Sequence, residues 1–187
     1  MKKRLFFAIN FDDAIKERLY QISLDFQKYN QPIKFENKDK LHLTLLFLGD
    51  VDVDSKEYEF LVEKSLQISK KTQSTEIEFN SIGIFKDFRK PRVLWIGCKE
   101  NEIIRKISDE LKDSALRLGF KLDGKEFSPH ITIGRVKGEL SKNFIDFIKS
   151  YSFISFKTKV ESFELMESKL DRMGSKYYIK ESYKLEE

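Results

Sequence analysis

The segment Leu41-His42-Leu43-Thr44-Leu45 alternates aliphatic and polar side chains, and the segment Pro129-His130-Ile131-Thr132-Ile133 repeats that pattern later in the chain. Alternation with a period of two predicts a β-strand, because successive side chains of a strand point to opposite faces of a sheet. On each strand we expect the histidine and the threonine to share one face, while the aliphatic residues anchor the other face in the core. The sequence therefore predicts two strands that each present an imidazole beside a hydroxyl on a rigid support.

These two segments contain the only two histidines of the chain, and each histidine has a threonine two residues later. The chain has five threonines in 187 residues, so both matches together have a chance probability on the order of one in a thousand. A lone histidine on a strand is usually a hydrogen-bonded structural residue. The duplicated context favours a shared function instead.

The residue types indicate chemistry on a phosphodiester. Two imidazoles with ordinary pKa values near 6.5 can divide the roles of acid and base, one protonated and one neutral. Two threonine hydroxyls can donate to the non-bridging oxygens of a phosphate. In-line hydrolysis needs this set and requires no metal. A zinc site would lack its third and fourth ligands, and Cys98 lies in an apolar strand pattern typical of a small buried hydrophobe.

Around the two motifs the hydrophobic period changes repeatedly between 2 and 3.6, which predicts a mixed α and β protein. A unit of strand, helix and strand at 4–48 recurs at 92–136 with nearly the same length. This repetition indicates two lobes related by rough symmetry. The predicted strands are 4–11, 41–48 (stopped by Gly49-Asp50), 75–85, 92–98 and 130–136, with β-rich segments at 153–167 and 176–184. The first predicted helix begins at Asp12 or Asp13 and is ended by Asn30-Gln31-Pro32, and further helices are predicted at about 55–70, 104–118 and 141–149.

The composition is that of an ordinary globular protein. The chain is 40% hydrophobic and 35% charged, with a formal net charge of +4. A chain of this composition can bury a core, and the composition excludes a disordered or fibrous protein. No linker or low-complexity stretch divides it, and we expect one domain over 1–187. The apolar run after the basic segment 1–4 is too short for a signal peptide or a membrane span. We therefore expect a cytoplasmic protein that does not bind membranes. We also expect a monomer that uses no cofactor.

Four segments resemble the two-histidine (2H) phosphoesterase superfamily, and within it the RNA 2′,3′-cyclic phosphodiesterases, also called 2′-5′ RNA ligases. They occur in the order found in that family, and they are Arg4-Leu5-Phe6-Phe7-Ala8-Ile9, His42-Leu43-Thr44-Leu45-Leu46-Phe47-Leu48-Gly49, Pro91-Arg92-Val93-Leu94-Trp95 and Phe127-Ser128-Pro129-His130-Ile131-Thr132-Ile133-Gly134-Arg135. The last 50 residues fit the fold but carry no such motif.

The resemblance implies a bilobal, pseudo-symmetric α+β fold, in which each lobe is an antiparallel-rich sheet flanked by helices and the active-site cleft lies between the lobes. It implies that His42 is the proton donor and His130 the proton acceptor; the residues alone do not assign these roles. It also implies hydrolysis of an RNA 2′,3′-cyclic phosphate to a 2′-phosphomonoester, with reversible 2′-5′ joining of tRNA halves in some members.

Four further residues are predicted to bind substrate. Strict alternation would put Arg135 on the strand face opposite His130, but twist or a bulge at Gly134 would turn it toward a phosphate, against the alternative of a surface salt bridge. Phe85 and Trp95 flank a basic loop that includes Arg92, a pattern that suits stacking on a base and tracking a backbone. The alternative for both aromatic residues is a place in the core.

Two other functions remain open at this point. The same chemistry could act on a small cyclic nucleotide, on ADP-ribose 1″,2″-cyclic phosphate or on a 2′-5′ oligonucleotide. A protein of another class, a nucleotide- or RNA-binding module without catalysis, would bind tightly and release no product. The matched histidine and threonine pairs argue against this second possibility.

Overall fold

The computed structural model of the chain describes residues 1–124, 126–171 and 174–187. Within these ranges the strands are β1 (Lys2–Asn10), β2 (Ile33–Phe35), β3 (His42–Asp52), β4 (Thr75–Phe85), β5 (Val93–Cys98), β6 (His130–Val136), β7 (Phe156–Val160), β8 (Ser162–Asp171) and β9 (Gly174–Lys184). The helices are α1 (Asp13–Gln27), α2 (Lys56–Ser69), α3 (Glu102–Arg117) and α4 (Lys142–Ser150), with a 3-10 turn at Lys38–Lys40.

Each helix begins at a polar residue that caps it. The side-chain oxygen of the capping residue accepts a hydrogen bond from the backbone N–H three residues later, which satisfies one of the donors left free at a helix start. The four caps are Asp12, Ser55, Asn101 and Ser141. Of the two caps predicted for the first helix, Asp12 is the one observed.

The strands form one curled sheet in the order β7-β4-β5-β6-β3-β1-β8-β9, and β2 pairs with β6 beside this path. The pairs β1–β3 and β5–β6 are antiparallel, and each pair is connected through a helix, α1 or α3. This observation confirms the predicted repetition of a strand–helix–strand unit. The two halves of the sheet meet at the central β3–β6 pair, where Leu43 lies opposite Ile131.

The two faces of the sheet differ. One face packs against all four helices in a continuous core that includes Leu43, Leu45, Ile131 and Ile133, each at most 4% exposed. The opposite face is open and holds only a small apolar cluster of Phe6, Ala8 and Met166 among the described residues. The functional side chains lie on this open face. None of the helices in the described ranges is long and apolar enough to cross a membrane.

Two details differ from the sequence expectation. The strand after the first motif does not stop at Gly49-Asp50 but continues to Asp52, because Gly49 adopts a φ of +77° and stays paired with Leu5. Strand β2 has no counterpart among the predicted strands, because three residues are too few to show a period.

Candidate active site

The central strand pair brings the two motifs together. With Leu43 opposite Ile131 on antiparallel strands, His42 falls level with Thr132, and Thr44 falls level with His130. All four polar side chains point away from the helices, because their aliphatic neighbours are buried on the helical face. The predicted strands and their polar faces are therefore found, and the two imidazoles lie diagonally across one small surface.

Both imidazoles are oriented by the same main-chain contact. Nδ1 of His42 lies 2.7 Å from the carbonyl oxygen of Lys40, and Nδ1 of His130 lies 2.7 Å from that of Ser128. A carbonyl oxygen only accepts, so Nδ1 carries the proton and donates in both rings. In the neutral state this leaves Nε2 of each ring as the proton acceptor that faces the substrate side.

The threonine of the first motif contacts its histidine. Nε2 of His42 lies 3.1 Å from Oγ1 of Thr44. When the imidazole is neutral the hydroxyl donates to Nε2, and when it is protonated Nε2 donates to the hydroxyl oxygen. The hydrogen bond between Thr44 and His42 is therefore kept in both protonation states of the ring, with donor and acceptor exchanged.

Aromatic side chains enclose each imidazole. The ring centroids of Phe6 and Tyr177 lie 5.1 Å and 5.2 Å from that of His42. Phe85 lies edge-on to His130 with centroids 4.8 Å apart, and Trp95 lies 6.5 Å away.

Burial in these surroundings disfavours a charged ring. The pKa of His42 is lowered to about 4, mainly by burial; the hydrogen bond to Lys40 raises it in part, and the nearby charges of Lys16 and, to a smaller extent, Arg135 contribute to lowering it. Burial likewise lowers the pKa of His130 below 6.5. At neutral pH burial therefore favours the uncharged form of both rings.

A cleft of about 440 Å³ opens over the four motif side chains. Its lining is strongly cationic, with Glu36 as the carboxylate among the described lining residues. Such a surface favours an anionic substrate and concentrates it from solution. The cationic lining residues are Arg4, Lys34, Lys40, Arg135 and Lys137.

Arg135 lines this cleft, and a bulge explains how. The partners of Leu94 and Trp95 on β6 are Gly134 and Thr132, so Ile133 is an extra residue in that strand. The extra residue shifts the alternation, and Arg135 returns to the face of His130. Nε of Arg135 also donates to Oε1 of Glu36 at 3.2 Å. The salt bridge weighed as an alternative is thus present within the cleft itself.

The other predicted substrate residues lie beside the cleft, and none of them is among its described lining residues. Phe85 and Trp95 pack together, with centroids 5.0 Å apart, on the outer side of His130. The Trp95 ring lies flat on the sheet, since a Cβ at Gly83 would come within 2.2 Å of it. Arg92 is exposed just before β5.

Sequence reasoning missed several cleft residues. Phe47 follows His42 by five residues, as Arg135 follows His130, and both line the cleft. Superposing the two motifs would have found Phe47. Tyr177, and Lys34 and Glu36 on and next to β2, carried no such signal, because only tertiary pairing brings them to the site. Within the described ranges, no three His, Cys, Asp or Glu side chains are grouped so as to hold a metal ion.

Comparison with known proteins agrees with this geometry. The sequence profile of the 2′-5′ RNA ligase superfamily matches residues 11–172. The chain belongs to this superfamily. A relative from Archaeoglobus fulgidus named RNA 2′,3′-cyclic phosphodiesterase is 34% identical over 176 residues, which cover 93% of this chain and 96% of the relative. A relative of the same name from Methanocaldococcus jannaschii is 32% identical and covers 94% and 97%.

Solved structures of similar proteins confirm the predicted fold class. The Thermus thermophilus protein TT0787 superimposes with a TM-score of 0.85 at 24% identity, covering 97% of both chains. Escherichia coli LigT, solved in complex with 3′-AMP, also gives 0.85 at 23% identity and covers both chains completely. At these identities the likeness concerns the fold, whereas membership of the superfamily rests on the sequence matches.

Proposed function

We propose that this protein is an RNA 2′,3′-cyclic phosphodiesterase that hydrolyses a terminal 2′,3′-cyclic phosphate to a 2′-phosphomonoester by acid–base catalysis with two histidines. The observation that carries the proposal is the diagonal placement of His42 and His130 on one face of β3 and β6, each ring held through Nδ1 so that Nε2 is its proton-exchanging atom. The names of the two archaeal relatives support the choice of substrate.

The reaction follows from this placement. Nε2 of His130 takes a proton from water as the water oxygen attacks phosphorus. The bond between phosphorus and O3′ of the ribose breaks, and Nε2 of His42 gives its proton to O3′. The products are a 2′-phosphomonoester and a free 3′-hydroxyl. A second turnover requires transfer of the proton from His130 to His42, directly or through solvent.

The substrate itself resolves the charge state of the donor. Burial holds the pKa of His42 at about 4, so this ring by itself is neutral near pH 7. A bound phosphodiester carries one negative charge, and an opposite charge within a few ångströms raises the pKa of an imidazole. Binding of the anionic substrate therefore favours protonation of His42, and the protonated imidazole exists mainly in the enzyme–substrate complex.

The remaining charge falls on the two non-bridging oxygens of the phosphate. Thr44 and Thr132 lie beside the histidines with hydroxyl donors, and Arg135 adds a guanidinium at the same cleft. Donors already held in place cost no reorganisation when charge develops, and they act strongly where water is excluded. We assign these three residues to stabilisation of the transition state.

The nucleoside has aromatic surfaces on either side of the phosphate position. Phe47, 37% exposed, lines the cleft on the His42 side. Phe85 and Trp95 extend the same sheet face beyond His130, and the exposed Arg92 follows them. We propose that these residues bind the terminal base and the adjoining backbone, since bases stack on aromatic rings.

We further propose that 1–187 acts as one domain and as a monomer, because a single chain supplies both histidines, and that the protein works in the cytoplasm. An RNA 5′-hydroxyl in the place of the water would give a 2′-5′ linkage, so the same site could also join RNA ends reversibly. RNA halves with a 2′,3′-cyclic end are the partner this reaction requires.

The test is to incubate the purified protein in EDTA with an RNA that ends in a 2′,3′-cyclic phosphate and to determine the product. We expect a 2′-phosphate, and both His42→Ala and His130→Ala should lower turnover by roughly 10² or more. Near wild-type turnover in either variant would overturn the mechanism. Tight binding without a product would favour a binding module, and turnover restricted to ADP-ribose 1″,2″-cyclic phosphate or 2′-5′ oligonucleotides would change the substrate.

A further inference from the structure

Two ammonium groups point to one position at the edge of the cleft. A Cβ placed on Gly174 would lie 3.3 Å from Nζ of Lys34 and 3.9 Å from Nζ of Lys40. Gly174 has a φ of +123°, a conformation that favours glycine, and its missing side chain leaves this position open. Three separate elements, β2, the turn before β3 and the start of β9, therefore meet around one small cationic space.

Neither ammonium is neutralised within the part of the chain that the structure describes. The carboxylate of Glu36 in the same cleft is bound to Arg135, and that of Asp171, which lies opposite Gly174 in the β8–β9 ladder, is bound to Lys176. Lys34 and Lys40 form no ion pair with a described residue. Like charges that converge without a counter-charge repel one another, and an anion between them removes that repulsion.

This position adjoins the site for the reacting phosphate. Lys34 lies directly opposite Arg135 in the β2–β6 ladder, so the two side chains share one face. Lys40 ends the 3-10 turn just before β3, and its backbone carbonyl oxygen accepts the hydrogen bond from Nδ1 of His42 at 2.7 Å. Both lysines therefore adjoin residues of the catalytic site.

We propose that Lys34 and Lys40 form a second phosphate subsite, which binds the 5′-phosphate of the nucleotide that carries the cyclic phosphate. The inference rests on the proposed function and specifies its substrate class. The preferred substrates are RNA ends, whose last nucleotide always carries a 5′-phosphate, and not cyclic mononucleosides that lack one. The subsite binds the phosphate of the RNA backbone and does not distinguish between bases.

A series of three substrates separates the contributions. The first is a nucleoside 2′,3′-cyclic phosphate, the second adds a 5′-phosphate, and the third is a dinucleotide with a 2′,3′-cyclic end. We expect kcat/KM to rise by roughly tenfold or more at the first step, the size of one charge-assisted contact. If kcat/KM rose only between the second and third substrates, the enzyme would be recognising the additional nucleoside and not the 5′-phosphate, and the proposed subsite would be wrong.

Charge-neutralising variants locate the effect. In Lys34→Gln and Lys40→Gln we expect the ratio of kcat/KM with and without the 5′-phosphate to fall by about fivefold or more. Lys38→Gln is the matched control, because it removes the same charge from the same turn while its ammonium pairs with Glu17. An equal fall of the ratio in Lys38→Gln would indicate a general effect of net charge and would contradict the proposal.

A binding measurement separates this inference from the proposed function. Calorimetry would compare adenosine 2′-phosphate with adenosine 2′,5′-bisphosphate, and the second should bind more tightly in the wild type but lose that advantage in Lys34→Gln. Equal affinities would overturn the subsite even where hydrolysis is confirmed. Preferential binding of the bisphosphate without hydrolysis would keep the subsite and overturn the proposed function.

Discussion

Oε1 of Glu36 lies 3.2 Å from Nε of Arg135, inside the cleft that holds both histidines. The Glu36 side chain is 17% exposed and that of Arg135 is 50% exposed, so the carboxylate is the more fixed partner. A guanidinium has four further N–H donors on its two terminal nitrogens. Glu36 can thus orient Arg135 while those donors face a phosphate, and it also places a negative charge beside an anion site.

Two variants of Glu36 separate these effects. Glu36→Gln keeps a carbonyl oxygen for Nε and removes the charge, so KM for a cyclic phosphate substrate should fall while kcat changes little. Glu36→Ala removes the orientation as well, and kcat should fall by roughly tenfold. Steady-state kinetics of both variants check this. Equal kcat in the two variants would show that Glu36 does not position Arg135.

The roles of the two histidines can be separated with an activated leaving group. A p-nitrophenolate leaves without a proton, so loss of the donor should matter little for bis(p-nitrophenyl) phosphate. We expect His42→Ala to recover most of its activity on this substrate, while His130→Ala remains roughly 10²-fold impaired. The measurement is kcat/KM on both substrates, and recovery in His130→Ala alone would reverse the assignment.

The motif threonines should act through their hydroxyls. Thr44→Val and Thr132→Val keep the β-branched shape that suits a strand and remove one donor each. We expect each to lower kcat by roughly tenfold or more, the cost of one hydrogen bond to a charged group, and to leave the fold intact. Circular dichroism controls for folding, and Thr158→Val on β7 is a matched substitution outside the cleft. Unchanged kcat in both motif variants would exclude this role.

The pH dependence of kcat/KM reports on the free enzyme. One histidine must be protonated and one neutral, so the profile is bell-shaped. Because burial lowers the pKa of His42 to about 4 and that of His130 below 6.5, the maximum should lie below pH 6.5. The profile of kcat should be displaced to higher pH, since the bound anion favours protonation. A kcat/KM maximum above pH 7 would contradict the proposed charge states.

Stability should depend on the same burial. The pKa of His42 is lower in the folded state than in the unfolded state, so the unfolded chain binds more protons between pH 6.5 and 4. The folded state therefore loses stability as the pH falls through this window, by up to about 3 kcal/mol, and is unaffected above it. Urea unfolding at several pH values checks this. In His42→Gln that part of the dependence should be absent; a parallel dependence in variant and wild type would assign it to other groups.

Much of the site could be predicted from short-range patterns. The alternation around His42 and His130 predicts two strands with matched polar faces, and the repeated strand–helix–strand unit predicts that they belong to equivalent halves. Both predictions are local, because a period of two fixes which side chains share a face. Arg135 is ambiguous in the sequence, since a bulge shifts that period and its position cannot be derived from alternation alone.

Other parts of the site have no local pattern. Tyr177 contacts His42 from the distant strand β9, and Lys34 enters on a strand of only three residues. Phe85 and Trp95 are expected near the substrate, and the structure places them against His130 outside the described cleft lining. Such contacts depend on strand order, which a single sequence does not encode as a period.

The sequence by itself determined the two strands, the chemistry of their polar faces and the pairing of one histidine with one threonine on each. Only the tertiary structure decided that β3 and β6 are neighbours, with Leu43 opposite Ile131. That register sets the imidazoles diagonally across one surface, and the neighbouring strands add the aromatic rings whose packing buries the imidazoles and lowers their pKa values. The physical reason is that periodicity determines the direction of side chains along one strand, whereas distances between strands and the exclusion of water arise from packing.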